Sequence, residues 1–274
     1  MAAILPPARL HLLPALDAPV AVILRRKPSR QWHVMLWRTD KDRIEHGSWF
    51  RGKLYAGRCD LSPDGSWMVY LAMGDRGQTW NGLCRPPRLT AVYHSANMGS
   101  WNGGGFFMPD GRLICNAWFG EIESDVGPNT RAGAPELVHE LPEGFRLGNS
   151  EDLGNIFPRL KRDGFEYDRP NDATGEKGTR RKQPTPKHPA LGIAYAGYRN
   201  GYKFRFDLEG RPEVMDPAPD WACWDSRGHL LVARLGRVER WSLRDIKRGK
   251  AGFVRDLEGL EPPVREGRGE GAGQ

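Results

Sequence analysis

Several pieces of chemistry are open to this chain on residue type alone, and spacing closes most of them. Ser100 sits in Met98-Gly99-Ser100-Trp101-Asn102, which lacks the flanking glycines that let a serine nucleophile stand on a strained turn. Gly148-Asn149-Ser150-Glu151-Asp152 has the first of those glycines and lacks the second. Both read as ordinary loop serines. His139-Glu140 has no second histidine four residues on, so it cannot clasp zinc from one helix face. Gly103-Gly104-Gly105 follows no apolar strand and precedes no helical pattern, so it reads as a close backbone approach and not as a phosphate loop. Cys59, Cys84, Cys115 and Cys223 include no closely spaced pair. They read as small buried hydrophobes in a reducing compartment. The catalytic and cofactor sets are therefore empty.

What remains is recognition. Trp80, Asn81, Trp101 and Asn102 fall between apolar runs, where binding loops form, and exposed tryptophans would anchor a partner. Arg180-Arg181-Lys182 is the densest basic cluster and the best electrostatic contact for an acidic partner.

The elements that must position these residues repeat. Asp60-Leu61-Ser62-Pro63-Asp64-Gly65-Ser66-Trp67-Met68-Val69-Tyr70-Leu71 carries a strand, a tight turn closed by glycine, and a returning strand. Phe106-Phe107-Met108-Pro109-Asp110-Gly111-Arg112-Leu113-Ile114-Cys115-Asn116 repeats it, with Gly111 46 residues after Gly65. Trp224-Asp225-Ser226-Arg227-Gly228-His229-Leu230-Leu231-Val232-Ala233 is a looser copy, and Lys161-Arg162-Asp163-Gly164-Phe165-Glu166-Tyr167 a degenerate one. Val20–Leu24 and Trp32–Trp37 read as strands, and Asn200-Gly201 as a hairpin turn. No amphipathic helix longer than two turns is evident. A hairpin recurring at a period of about 40–50 residues points to four-stranded propeller blades.

The Leu61-Ser62-Pro63-Asp64-Gly65 and Met108-Pro109-Asp110-Gly111 turns resemble those of TolB-type and WD-type β-propeller repeats. The resemblance implies an all-β array of about five four-stranded antiparallel blades around a channel, in one domain over residues 1–261. It implies no catalytic residues, since that turn is structural in the family. Some propeller enzymes gather oxygen ligands around a channel metal, and here Asp60, Asn102, Asn116 and Asp225 could approach the axis.

Composition sets the outer bounds. The 274 residues are 39% hydrophobic, enough to bury a substantial core, and the ten tryptophans suit filler between blades. A formal charge of +7 would favour acidic partners, yet 41 basic residues are interspersed with 34 acidic ones. Residues 168–189 are polar and proline-containing, and read as a mobile insertion; residues 262–274 read as a disordered tail. The stretch Leu10 to Leu24 is too short and broken to span a membrane, and its basic residues follow it instead of preceding it. These readings favour a non-enzymatic scaffold propeller, a protein-binding subunit of a bacterial cytoplasmic complex with no cofactor. The alternatives are a propeller hydrolase or lactonase with a channel metal, and a nucleic-acid-associated subunit using the basic insertion.

Overall fold

The run Val20-Ala21-Val22-Ile23-Leu24 is apolar at every position, which a strand can afford only when both faces are covered. Ala21 and Ile23 point into one core cluster, with Met35 and Trp37 beside them; Val22 and Leu24 point into another, with Val34 and Leu36. The same division recurs at Met68, Tyr70 and Ala72 against Val69. Each such sheet is thus sandwiched between two neighbours.

A computed structural model describes residues 6–96, 103–115, 133–138, 153–168, 177–196 and 203–263. The first sheet holds β1 (Arg9–Pro14), β2 (Val20–Arg26), β3 (Gln31–Arg38) and β4 (Arg43–Arg51) in chain order. The second holds β5 (Lys53–Leu54), β6 (Asp60–Leu61), β7 (Met68–Met73), β8 (Thr79–Cys84) and β9 (Ala91–Ala96), with β5 and β6 both pairing β7. The third is β10 (Gly105–Phe107), β11 (Leu113–Cys115) and β12 (Leu137–Val138), the last pair parallel. Helix α1 (Leu153–Arg162) leads into the fourth, β13 (Glu166–Asp168), β14 (Lys177–Lys182), β15 (Leu191–Ala196) and β16 (Lys203–Leu208). The fifth is β17 (Trp221–Trp224), β18 (Leu230–Arg234), β19 (Arg237–Trp241) and β20 (Phe253–Asp256), with the short helix α2 (Leu243–Arg248) before β20. The fold is propeller-like and mostly β, 46% strand and 11% helix.

Within a sheet, burial falls toward the last strand. β2 is almost wholly buried, whereas β4 and β20 carry charges on exposed edges, which discourages pairing with other chains. Of the ten tryptophans, Trp32, Trp37, Trp67, Trp221, Trp224 and Trp241 are buried, as filler between sheets should be.

Three sequence expectations change. The Lys161–Gly164 copy ends α1 and does not turn a hairpin. Trp80 and Asn81 lie within β8 and not in a loop, Trp80 half-buried against Phe50. Residues 177–182, read as part of a mobile insertion, form a strand paired on both sides, Arg181 opposite Glu166 and Gly192. Backbone hydrogen bonds ordered a segment that side-chain burial alone would not. Ser100, Trp101, Asn102, Asn116, His139, Glu140, residues 148–152, the Asn200-Gly201 turn and most of the tail lie outside the described residues, as do the side chains of Arg180 and Arg181.

Among the described residues every sheet comes from one contiguous stretch, so no β ladder joins the first to the fifth. Side chains close that seam instead. Arg25, buried in β2, donates from Nε to the Leu257 carbonyl (2.6 Å) and from Nη2 to that of Glu258 (2.7 Å). Glu258 accepts from the Ala8 amide (2.8 Å) and pairs with Lys27. Asp42 takes a two-pronged pair from Arg240 (2.7 and 2.8 Å), and Thr39 donates to Asp225 (2.7 Å).

Arg25→Met should therefore cost about 2–4 kcal/mol in urea unfolding, by stranding the buried Leu257 carbonyl and the part-buried one of Glu258; a loss under about 0.5 kcal/mol would mean the seam is held elsewhere. A pH effect accompanies it. His33 stacks between Trp49 (4.0 Å) and His46 (5.2 Å), and neither ring nitrogen has a hydrogen-bond partner. Burial pulls its pKa from 6.5 to about 4, with His46 and Arg25 adding to the effect. The unfolded chain then takes up the proton first, so stability is complete above the unfolded value and is lost as pH falls toward the folded one. Between about pH 6.5 and 5 the loss should reach about 2 kcal/mol, and His33→Phe should remove that share.

Candidate functional site

The recurring aspartates are the first residues a functional reading must test. Asp64 accepts from Ser62 Oγ (2.5 Å), Ser66 Oγ (2.6 Å) and the Ser66 amide (3.0 Å). Burial pushes its carboxyl up, but the serine bonds prevail and hold it below the usual range. Asp110 does the same for its turn through the Arg112 amide (3.1 Å) and Nε (2.7 Å). Asp225 accepts the Arg227 and His229 amides on one oxygen (2.9 and 2.8 Å), and Thr39 and the His229 ring on the other. These carboxylates fold turns; Asp225 has both oxygens doubly engaged, while Asp110 is exposed and keeps acceptor capacity toward solvent.

Asp60 is different. It lies in β6, 1% exposed, and accepts the Phe107 amide (2.8 Å) and a two-pronged pair from Arg162 of α1. Burial raises its carboxyl, with Arg162 and Arg159 pulling it back. For Arg162 burial acts downward, but Asp163 and Asp60 outweigh it and hold the guanidinium charged. Arg162 also donates to the Phe107 carbonyl (2.9 Å), while Arg159 donates to Cys59 O (2.5 Å) and lies 5.7 Å from the Trp221 ring. Arg159 also approaches His11 (3.5 Å), whose pKa burial lowers, with Arg159 adding to it.

Helix α1 thus reaches β1, β6, β10 and β17, the first or innermost pieces of the four other sheets. The helix occupies the middle of the ring. Sequence reading missed it because Gly154 and Pro158 interrupt the ten residues, and an interior proline forfeits a backbone bond. The amphipathic signal was nevertheless present, since Asn155, Ile156, Arg159 and Leu160 all fall on its buried side.

The glycine run is a close approach, as expected. At Gly104 (φ +83°) a Cβ would stand 2.5 Å from the Arg58 Cβ, and its amide donates to Asn81 Oδ1 (2.7 Å).

Open space lies at the end of the ring where first strands turn into second strands. A cavity of about 460 Å³ is walled by Asp17, Asp64, Trp67, Asp110, Arg112 and Glu136. A second, of about 330 Å³, is walled by Leu16, Asp163, Lys182, His188, Trp224 and Arg227. They flank the Ala15–Asp17 turn on either side. One is predominantly acidic; the other sets Lys182 and Arg227 beside Asp163 and Asp225. Of the residues singled out from sequence for partner contact, the structure brings Lys182 to this end and leaves Trp80 half-buried in its sheet.

No family model matches the chain, and no curated protein does. Among solved structures it is similar to an uncharacterized protein, lmo1340, from Listeria monocytogenes EGD-e, at 7% identity and a TM-score of 0.31, covering 91% of this chain and 84% of that one. It is also similar to the β-propeller domain of the Trilobed protease from Pyrococcus furiosus, at 9% identity and a TM-score of 0.31, covering 92% and 85%. Such loose superpositions carry no function. The propeller-like architecture rests on this chain's own five sheets.

Removing Asp60 should be costly for a structural reason. Asp60→Asn should destabilise by about 3–5 kcal/mol, since a buried guanidinium loses its main counter-charge. Asp64→Ala should cost only about 1–2 kcal/mol of turn bonds. Urea unfolding of the two variants checks the order, and equal losses would contradict the axial assignment.

Proposed function

We propose that this chain is a non-enzymatic β-propeller that docks a protein partner at its turn end, as a subunit of a bacterial cytoplasmic assembly. The observation that carries this reading is the pair of cavities on that end, one predominantly acidic and one of mixed charge, either side of Ala15–Asp17. Charge patterning of this kind gives orientation and partner choice.

Two other readings are weighed down by particular contacts. A channel-metal hydrolase would draw on Asp60 and Asp225, and both spend their oxygens on Arg162, Thr39, His229 and backbone amides. A nucleic-acid surface would draw on the basic surplus, yet Arg25, Arg159, Arg162 and Arg234 are spent on internal acceptors.

The test is quantitative recovery of partners on the tagged protein from its native cells, read by mass spectrometry. Asp17 and Glu136 are exposed at the acidic cavity, and Arg255 is exposed on the outer strand β20. A stoichiometric partner should fall at least about tenfold with Asp17→Arg/Glu136→Arg and persist with Arg255→Glu. The reverse pattern, or hydrolysis of esters or lactones that depends on an added divalent cation, would overturn the proposal.

A further inference from the structure

Lys182 closes β14 and is half-buried in the wall of the smaller cavity. An ammonium in that position normally finds a carboxylate, because an unanswered charge away from water is costly. Here the two carboxylates in the same wall, Asp163 and Asp225, are paired with other groups, Asp163 through its Oδ1. Asp163 pairs with Arg162 at 2.7 Å, and Asp225 accepts from Thr39, the His229 ring and two amides. Among the described residues Lys182 makes no ion pair; its Nζ stands 5.9 Å from the Phe165 ring centroid. Burial lowers its pKa, which Asp163 only partly offsets.

The rest of the cavity suits an acidic group on a short hydrocarbon stem. Pro14, Leu16 and Pro184 give apolar wall. Trp224 contributes its indole, whose buried Nε1–H has no acceptor among the described residues. His188 is held in place by Thr185 Oγ1 (2.7 Å) and the Gly228 carbonyl (3.1 Å), its ring edge-on to Trp224. At the mouth Arg227 is 54% exposed and only 3.8 Å from Asp40, which leaves most of its donors to solvent. The volume of about 330 Å³ is ample for one side chain.

We infer that this cavity takes a glutamate or aspartate side chain of the partner, its carboxylate on Lys182 and its methylenes against Leu16 and Pro184. The inference rests on the docking face proposed above and adds the chemistry of one of its two halves. The acidic cavity across the Ala15–Asp17 turn would then face a basic residue of the same partner.

The test uses the intact protein with lysine amines carrying ¹³C-methyl groups and with ¹⁵N-labelled indoles, read by NMR. The probe is N-acetylglutamate N-methylamide; the glutamine analogue and inorganic phosphate are the comparison arms. The glutamate probe should produce saturable shifts at Lys182 and Trp224, with a dissociation constant on the order of millimolar. It should also raise the Lys182 pKa, since a bound carboxylate favours the charged amine. The glutamine analogue should produce neither change. Lys182→Met should weaken binding at least about tenfold, and Arg227→Ala, which disturbs no buried group, should weaken it less. Absence of saturable shifts, equal response to the glutamine probe, or response to phosphate alone would each overturn the inference. Partner recovery separates the two proposals. If Lys182→Met leaves it intact while Asp17→Arg/Glu136→Arg abolishes it, the cavity assignment fails and the docking face stands. If neither substitution affects recovery, the docking face itself fails.

Discussion

A guanidinium can be taken out of water only if its rigid fork of N–H groups meets acceptors, and this fold is assembled around that requirement. Arg25 answers it with the carbonyls of Leu257 and Glu258, and so ties the first sheet to the end of the fifth. Arg159 and Arg162 answer it with Cys59, Asp60 and Phe107, and so tie α1 to the second and third sheets. Arg234 uses Glu239 together with the carbonyls of Val214 and Pro217. Apolar packing between sheets is non-directional. These arginines supply the direction, since each fork fits only one relative placement of the elements it joins.

Their position has a functional consequence. Because α1 carries two of these arginines into the ring, the middle is packed and charged, and its carboxylate is neutralised from within. In the proposed reading recognition falls to the turn end, where the aspartates of the repeated turns are folded into their own loops. There Asp17 and Glu136 on one side, and Lys182 and Arg227 on the other, are proposed to meet a partner. Basic side chains thus differ by what surrounds them: Arg162 is structural because Asp60 and Asp163 meet it, whereas among the described residues Lys182 makes no ion pair.

Much of the architecture was legible in the sequence, and the failures have physical causes. The turns at Gly65, Gly111 and Gly228 and the runs in β2 and β3 were readable because turn chemistry and two-sided burial are local. β1 was hidden because His11 and Pro14 interrupt its apolar pattern, although the strand pairs from Arg9 to Pro14 with β2. β8 reads as a loop because Asn81 and Gly82 sit at its centre; Gly82 is there because a Cβ would stand 2.2 Å from the Tyr70 ring. β14 carries four basic residues in six, so no apolar pattern marks it, and its backbone pairs with β13 and β15. At the site, Lys182 was singled out for its place in a basic cluster. Its lack of an ion pair among the described residues and the cavity around it are tertiary facts, which no spacing along the chain encodes.

The central claim is that α1 fills the ring as part of the core, and hydrogen–deuterium exchange measures that directly. If the claim holds, the amides of Phe157 and of residues 159–162 exchange as slowly as those of β7 and β18, because all are released only by global opening. Exchange of that segment at the rate of an exposed loop, with β7 and β18 still protected, would contradict it.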